Sequence, residues 1–206
     1  MALRRLGAGD YRRMPWKNGG GETIEIAVWP PQAGLDTFDW RVSLAHVGAN
    51  GPFSVFPGIE RTLAVVEGAG IDLVFADRRV LPLTPRDLPI AFPADVPVSG
   101  RLHRGPITDL NVMSRRGRVS HAVTRLVAPR ALDLAPGAIA LLYCHDGGAT
   151  TGTGQVLAPG DTCILDVTTP IAAGRSEATF LVELRPEGPL RRDGISFTPG
   201  VSPERR

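Results

Sequence analysis

The chain has 206 residues, 43% of them hydrophobic, with 23 Lys and Arg against 21 Asp and Glu for a formal charge of +2. That length buries a sizeable core as one large domain or two fused small ones, and basic residues scattered in pairs such as Arg12 and Arg13 or Arg78 and Arg79 build no stripe, so nucleic acid is not an expected partner. No stretch approaches the roughly 18 apolar residues of a spanning helix, and the opening "MALRRLGAGDYRR" has no apolar run behind its basic residues, so the expectation is a soluble cytoplasmic protein with no membrane partner.

Near the N-terminus, "PWKNGGGETIEI" (residues 15–26) holds Lys17, the single lysine of the chain, between Trp16, Asn18 and three glycines. A compact ammonium differs chemically from the arginine used everywhere else, and the glycines let the backbone approach another molecule closely. The plainer alternative is a flexible turn with Trp16 packed and Lys17 solvated. Next, "FDWRVSLA" alternates, with Phe38, Trp40, Val42 and Leu44 on one face and Asp39, Arg41 and Ser43 on the other. The runs "RTLAVVEG", "IDLVFA", "AIALLYC", "DTCILDV" and "ATFLVELR" are rich in β-branched and aliphatic residues and read as strands. In "TDLNVMSRR", alternation sets Asp109, Asn111 and Met113 on one face and Leu110 and Val112 on the other. With 24 Gly and 19 Pro spread along the chain as turns and no long period of 3.6, the fold class is all-β. Cys144 and Cys163 form no CxxC pair and read as free buried thiols in a reducing compartment, the alternative being one bridge between them.

An internal repeat sharpens this. At an offset of 74, "LTPRDLPIAFPADVPVSGR" from Leu83 matches "LAPGDTCILDVTTPIAAGR" from Leu157, with Leu83/Leu157, Pro85/Pro159, Asp87/Asp161, Ile90/Ile164, Gly100/Gly174 and Arg101/Arg175 identical. Leu110/Leu184 keeps the register and Asp109/Glu183 keeps its charge. One supersecondary unit used twice predicts two barrels or sandwiches sharing a sheet face.

Three separated strings, "MPWKNGGGETIEI", "FDWRVSLAHVGANGPFSVFPGIERTLAVVEGAG" and "GPITDLNVMSRRG", resemble in their order and spacing the HutD/Ves family, most strongly over residues 14–120. "VLAPGDTCIL" is similar to the generic cupin turn before a strand. The resemblance implies a bicupin, two double-stranded β-helix (jelly-roll-like) barrels in one chain: an N-terminal half over 1–120, a C-terminal half over 121–200, and a frayed tail at 201–206. It also implies a regulator of histidine utilisation that binds a pathway intermediate such as N-formylglutamate or urocanate, and a link to stress responses.

Most cupins hold a metal with an HxH pair and a downstream Glu and His. Here "GPFSVFPGIERTLAVVEG" contains no histidine, and His46, His103, His121 and His145 are isolated in sequence. No metal and no cofactor are expected, and Cys144-His145-Asp146 reads as a turn. The favoured reading is a binder of a small carboxylate. Lys17 and Arg61 would neutralise the anion, Asn18 and Asn111 would hydrogen-bond its amide or formyl part, and Trp16 and Phe53 would wall the pocket, with Asp109, Met113, Arg41 and Ser43 as further lining. Arg61 has a structural alternative as an ion pair with Glu60 or Glu67, while Arg41 with Ser43 and Glu25 with Thr23 line the same pocket or point to solvent. The rival is a metal-independent isomerase, epimerase or amide hydrolase using Asp109, Glu25 or His46 as acid or base; a third reading is an interaction module. A homodimer through sheet edges is compatible with the fold.

Overall fold

Among the described residues, short alternating segments between Gly and Pro turns fold into strands alone, apart from one turn of 3₁₀ helix at Ala8–Asp10. The computed structural model describes residues 4–16, 19–166, 168–173 and 178–187. Lys17 and Asn18, the tail 201–206, and Gly174 and Arg175 of the repeat lie outside the described residues.

In chain order the strands are β1 (Arg4–Leu6), β2 (Arg12–Pro15), β3 (Gly21–Trp29), β4 (Trp40–Val47), β5 (Gly51–Pro52), β6 (Ile59–Glu67), β7 (Ile71–Phe75), β8 (Val80–Leu83), β9 (Ile90–Pro93), β10 (Val98–Leu102) and β11 (Ile107–Arg115). The second half continues with β12 (Val119–Arg125), β13 (Arg130–Leu132), β14 (Ile139–Cys144), β15 (Ala149–Thr151), β16 (Val156–Leu157), β17 (Thr162–Leu165), β18 (Thr169–Ala173) and β19 (Thr179–Pro186). Sheet order is β2-β3-β4-β11-β6-β9 facing β5-β10-β7-β8 in the first half, and β1-β17-β14-β19-β12 facing β13-β18-β15-β16 in the second. Strand for strand, β4-β11-β6-β9 recurs as β12-β19-β14-β17 and β5-β10-β7-β8 as β13-β18-β15-β16. The molecule is a bicupin: two double-stranded β-helix barrels, one unit used twice.

The repeat detected in the sequence is this unit's turn. Thr84 N–H donates to Asp87 Oδ2 at 2.8 Å, and Ala158 N–H donates to Asp161 Oδ2 at 2.8 Å. The preceding Leu83 and Leu157 both sit fully inside their own barrel cores. One strand breaks the chain order: β1 pairs with β17, Arg5 opposite Cys163, so the N-terminal strand adds an edge to the second barrel before β2 enters the first. Both cysteines are free and buried in the second barrel.

The two large sheets pack face to face. Trp40, Val42, Leu110 and Val112 of the first barrel meet Leu141, Tyr143, Phe180 and Val182 of the second in one cluster, and each large apolar side chain buried there contributes roughly 1.5–3 kcal/mol. Polar links also join the barrels, two of them through histidines. His121 places Nε2 2.8 Å from Thr62 Oγ1 and Nδ1 2.7 Å from Ser114 Oγ, and burial pushes its pKa down to about 4. His145 lies 3.2 Å from Glu67 Oε1 and 2.9 Å from Tyr143 OH. No helix among the described residues is long and apolar enough to cross a membrane.

Candidate functional site

Strand periodicity decides what enters the first barrel. On β11, Leu110 and Val112 face the seam, so Asp109, Asn111 and Met113 turn into the barrel interior. The ladders then fix the neighbours. Ser43 of β4 lies opposite Asn111 and Arg41 opposite Met113, while on the other side Arg61 of β6 lies opposite Met113. Glu25 of β3 pairs in register with Ser43. Arg41, Ser43, Arg61, Asp109, Asn111 and Met113 are thereby gathered in one interior, which their separation along the sequence does not reveal.

Two cations serve different purposes there. Arg41 Nε donates to Glu25 Oε2 at 2.7 Å, a buried pair that is neutral as a unit. Arg61 is only 3% exposed and has no carboxylate partner among the described residues. One of its nitrogens, Nη2, donates to Ser54 O at 3.3 Å and to Met113 Sδ at 3.5 Å. Its guanidinium lies 5.6 Å from the centre of the Phe53 ring and 5.3 Å from that of Phe56, with Phe92 at 6.0 Å, an aromatic cage that suits a weakly hydrated planar cation. Glu60 and Glu67, the ion-pair alternatives for Arg61, are engaged elsewhere: Glu60 with Arg116, and Glu67 with His145 and Thr108.

Four buried polar atoms of this interior have no hydrogen-bond partner among the described residues: Arg61 Nε, Ser43 Oγ, Asp109 Oδ1 and Asn111 Oδ1. A buried polar group left unpaired costs on the order of 1–3 kcal/mol, so four on one interior face mark where a water or a small ligand would find partners. Desolvation raises Asp109 to about 7 and lowers Arg61 to about 10; each feels the other's opposite charge, but too weakly to offset burial. The second barrel gives the control. Glu183, at the position repeating Asp109, has its carboxylate 3.7 Å from Arg130 and 3.3 Å from Arg185. Around it Leu142, Cys144, Cys163, Leu165 and Leu181 fill the interior. A groove of about 340 Å³ on β13, β15 and β18, between Arg130, Thr151 and Ile171, lies away from the unpaired atoms and offers none of its own; the chemistry points to the first barrel.

Other residues singled out in the sequence are placed as follows. Trp16 is half-buried against the interior cluster, and its Nε1 donates to Thr23 Oγ1 at 2.8 Å. Gly21 allows this packing, since a Cβ there would stand 2.1 Å from His46 O and 3.1 Å from the Trp16 ring. Phe53 stands beside Arg61. His46 is exposed and outside the interior, so it is not positioned as an acid or base for this site. Phe56 and Phe92 complete the cage without a motif that marks them; Phe56 lies in the aromatic-spaced "GPFSVFPG" and Phe92 in "IAFPADV". Among the described residues no three His, Cys, Asp or Glu side chains group as metal ligands.

Comparison with known proteins agrees with this architecture. The profile of the HutD family matches residues 8–181. The chain is 33% identical to Protein Ves of Citrobacter koseri over 199 residues, 95% of this chain and 96% of that protein. It is 43% identical over 111 residues, 54% of this chain and 57% of the other, to an uncharacterized 21.2 kDa protein in the hutC 3′ region of Pseudomonas putida. The structure of HutD from Pseudomonas fluorescens SBW25 in a formate condition superposes with a TM-score of 0.81 at 31% identity, covering 91% of this chain and all of that one. Escherichia coli pirin YhhW in complex with nickel(II), at 9% identity and a TM-score of 0.65 over 91% of this chain and all of that one, shares the fold alone.

Proposed function

The chain belongs to the HutD family, and from that premise we propose that it binds a small carboxylate metabolite inside its first barrel and acts as a regulator of histidine utilisation, with N-formylglutamate and urocanate as the ligands to try first. The observation that carries the reading is the set of four unpaired buried polar atoms in one barrel, set against the satisfied acid of its sister. Arg61 supplies a permanent positive charge, since a pKa of about 10 keeps it protonated at neutral pH. Its Nε–H points a free donor at the interior, while Ser43 and Asn111 offer a hydroxyl and an amide to the rest of the ligand. Phe53 and Trp16 contribute apolar walls. Lys17 and Asn18 belong to the same proposal as further donors. The proximity of a relative to hutC supports the pathway.

Calorimetric titration of the full chain with N-formylglutamate and urocanate tests this. Binding of at least one, weakened roughly tenfold to a hundredfold by R61K and by N111A, is the expected result, because a charge-assisted hydrogen bond contributes about 1.5–3 kcal/mol. Binding that neither substitution changes would remove the site from the first barrel.

A further inference from the structure

We propose that Asp109 is a proton-operated gate on the first barrel, its acid form admitting an anion beside Arg61 and its carboxylate form excluding it. This rests on the carboxylate-binding reading above. Asp109 is 2% exposed, Arg61 3%, and each holds an unpaired atom in the same interior, Oδ1 and Nε. They feel each other's charge, yet no hydrogen bond or ion pair joins them. Opposite charges buried on one barrel interior without touching leave their unpaired atoms for a third group.

Among the described residues, the charged groups facing Asp109 are Arg61 from β6, Arg41 from β4 and Glu25 from β3, and the last two neutralise each other at 2.7 Å. The opposing sheet contributes apolar side chains such as Leu73 and Val98. With Asp109 ionised, the interior has no net charge, and an entering carboxylate meets a like charge in a dry site. With Asp109 protonated, the interior is positive. Its O–H then donates to one ligand oxygen while Arg61 Nε–H donates to the anion. The proton comes from solvent, and no other bond changes. Burial holds the acid form up to about pH 7, which puts the gate within a neutral working range.

The test is titration of the full-length chain with sodium formate and with N-formylglutamate, whose carboxylates stay ionised throughout, from about pH 6 to about pH 8.5 in two buffers of different ionisation enthalpy. For the wild-type chain the dissociation constant should rise about tenfold per pH unit above about pH 7, with about one proton taken up per ligand. D109N, which keeps the donor without the charge, should lose the pH dependence, whatever its own affinity. Wild-type binding that is independent of pH and takes up no proton overturns the gate while leaving the carboxylate reading intact, as does a slope that persists in D109N. Failure of both probes to bind at about pH 6 overturns the carboxylate reading and the gate with it. Proton uptake is read on the wild-type chain, so a D109N chain that does not fold leaves the decision standing.

Discussion

Asp109 and His121 hold protonation states that the unfolded chain would not, and they do so in opposite directions. Asp109 has a folded pKa of about 7 against an ordinary 3.8, so the folded state keeps a proton that the unfolded chain has released. Its contribution is fully present below about pH 4 and is lost as pH rises towards 7, roughly 4 kcal/mol in all. His121, at about 4 against 6.5, refuses a proton that the unfolded chain accepts. Its contribution is present above about pH 6.5 and is lost as pH falls towards 4, roughly 3 kcal/mol. Between about pH 4 and 6.5 the two slopes oppose each other and the wild-type stability should be nearly flat in urea unfolding. D109N should then become more stable as pH rises through that window, and H121N less stable. Parallel profiles for all three chains would show that neither group is titrating as its burial implies. The alternation in "TDLNVMS" shows from sequence alone that Asp109, Asn111 and Met113 travel together; which way they face depends on the seam partner Leu110 and Val112 find, and that partner lies more than twenty residues further along the chain.

At the scale of elements, the same turn has been built twice and loaded differently. Asp87 and Asp161 each accept a backbone N–H from the start of their turn. Asp87 is exposed and adds only the Thr84 hydroxyl, whereas Asp161 is 4% exposed and also receives Arg5 Nε at 2.8 Å from β1. Substitution by alanine should therefore cost about 1 kcal/mol at Asp87 and roughly 2 kcal/mol at Asp161, where a charged acceptor shared by the turn and by Arg5 is removed and an edge strand loses its anchor; equal losses in denaturant midpoints would contradict this. The shared Asp, Pro and Leu of the turn were legible because turn chemistry is local. The placement of β1 was not. Three residues, "RRL", have no period to read, and their partner β17 lies some 160 residues away.

For the molecule as a whole, one unit used twice makes two barrels with unlike interiors. The second is closed by apolar side chains and an acid held by two arginines. The first keeps an arginine ringed by aromatics and an acid whose Oδ1 has no partner among the described residues. The offset of 74 made the duplication legible, and the matched pair Asp109 and Glu183 even marked the equivalent acids. Their unequal fates were hidden, because Arg130 and Arg185 reach Glu183 only in the folded chain, and Arg61 reaches its cage through strand register. The site proposed in the first barrel rests on that asymmetry, and a crystal structure of the complex with N-formylglutamate grown near pH 6 examines it most directly. The ligand should lie inside the first barrel with a carboxylate oxygen at hydrogen-bond distance from Arg61 Nε and Asp109. A ligand seated in the groove beside Arg130 and Thr151 of the second barrel, with the first barrel unchanged, would contradict it.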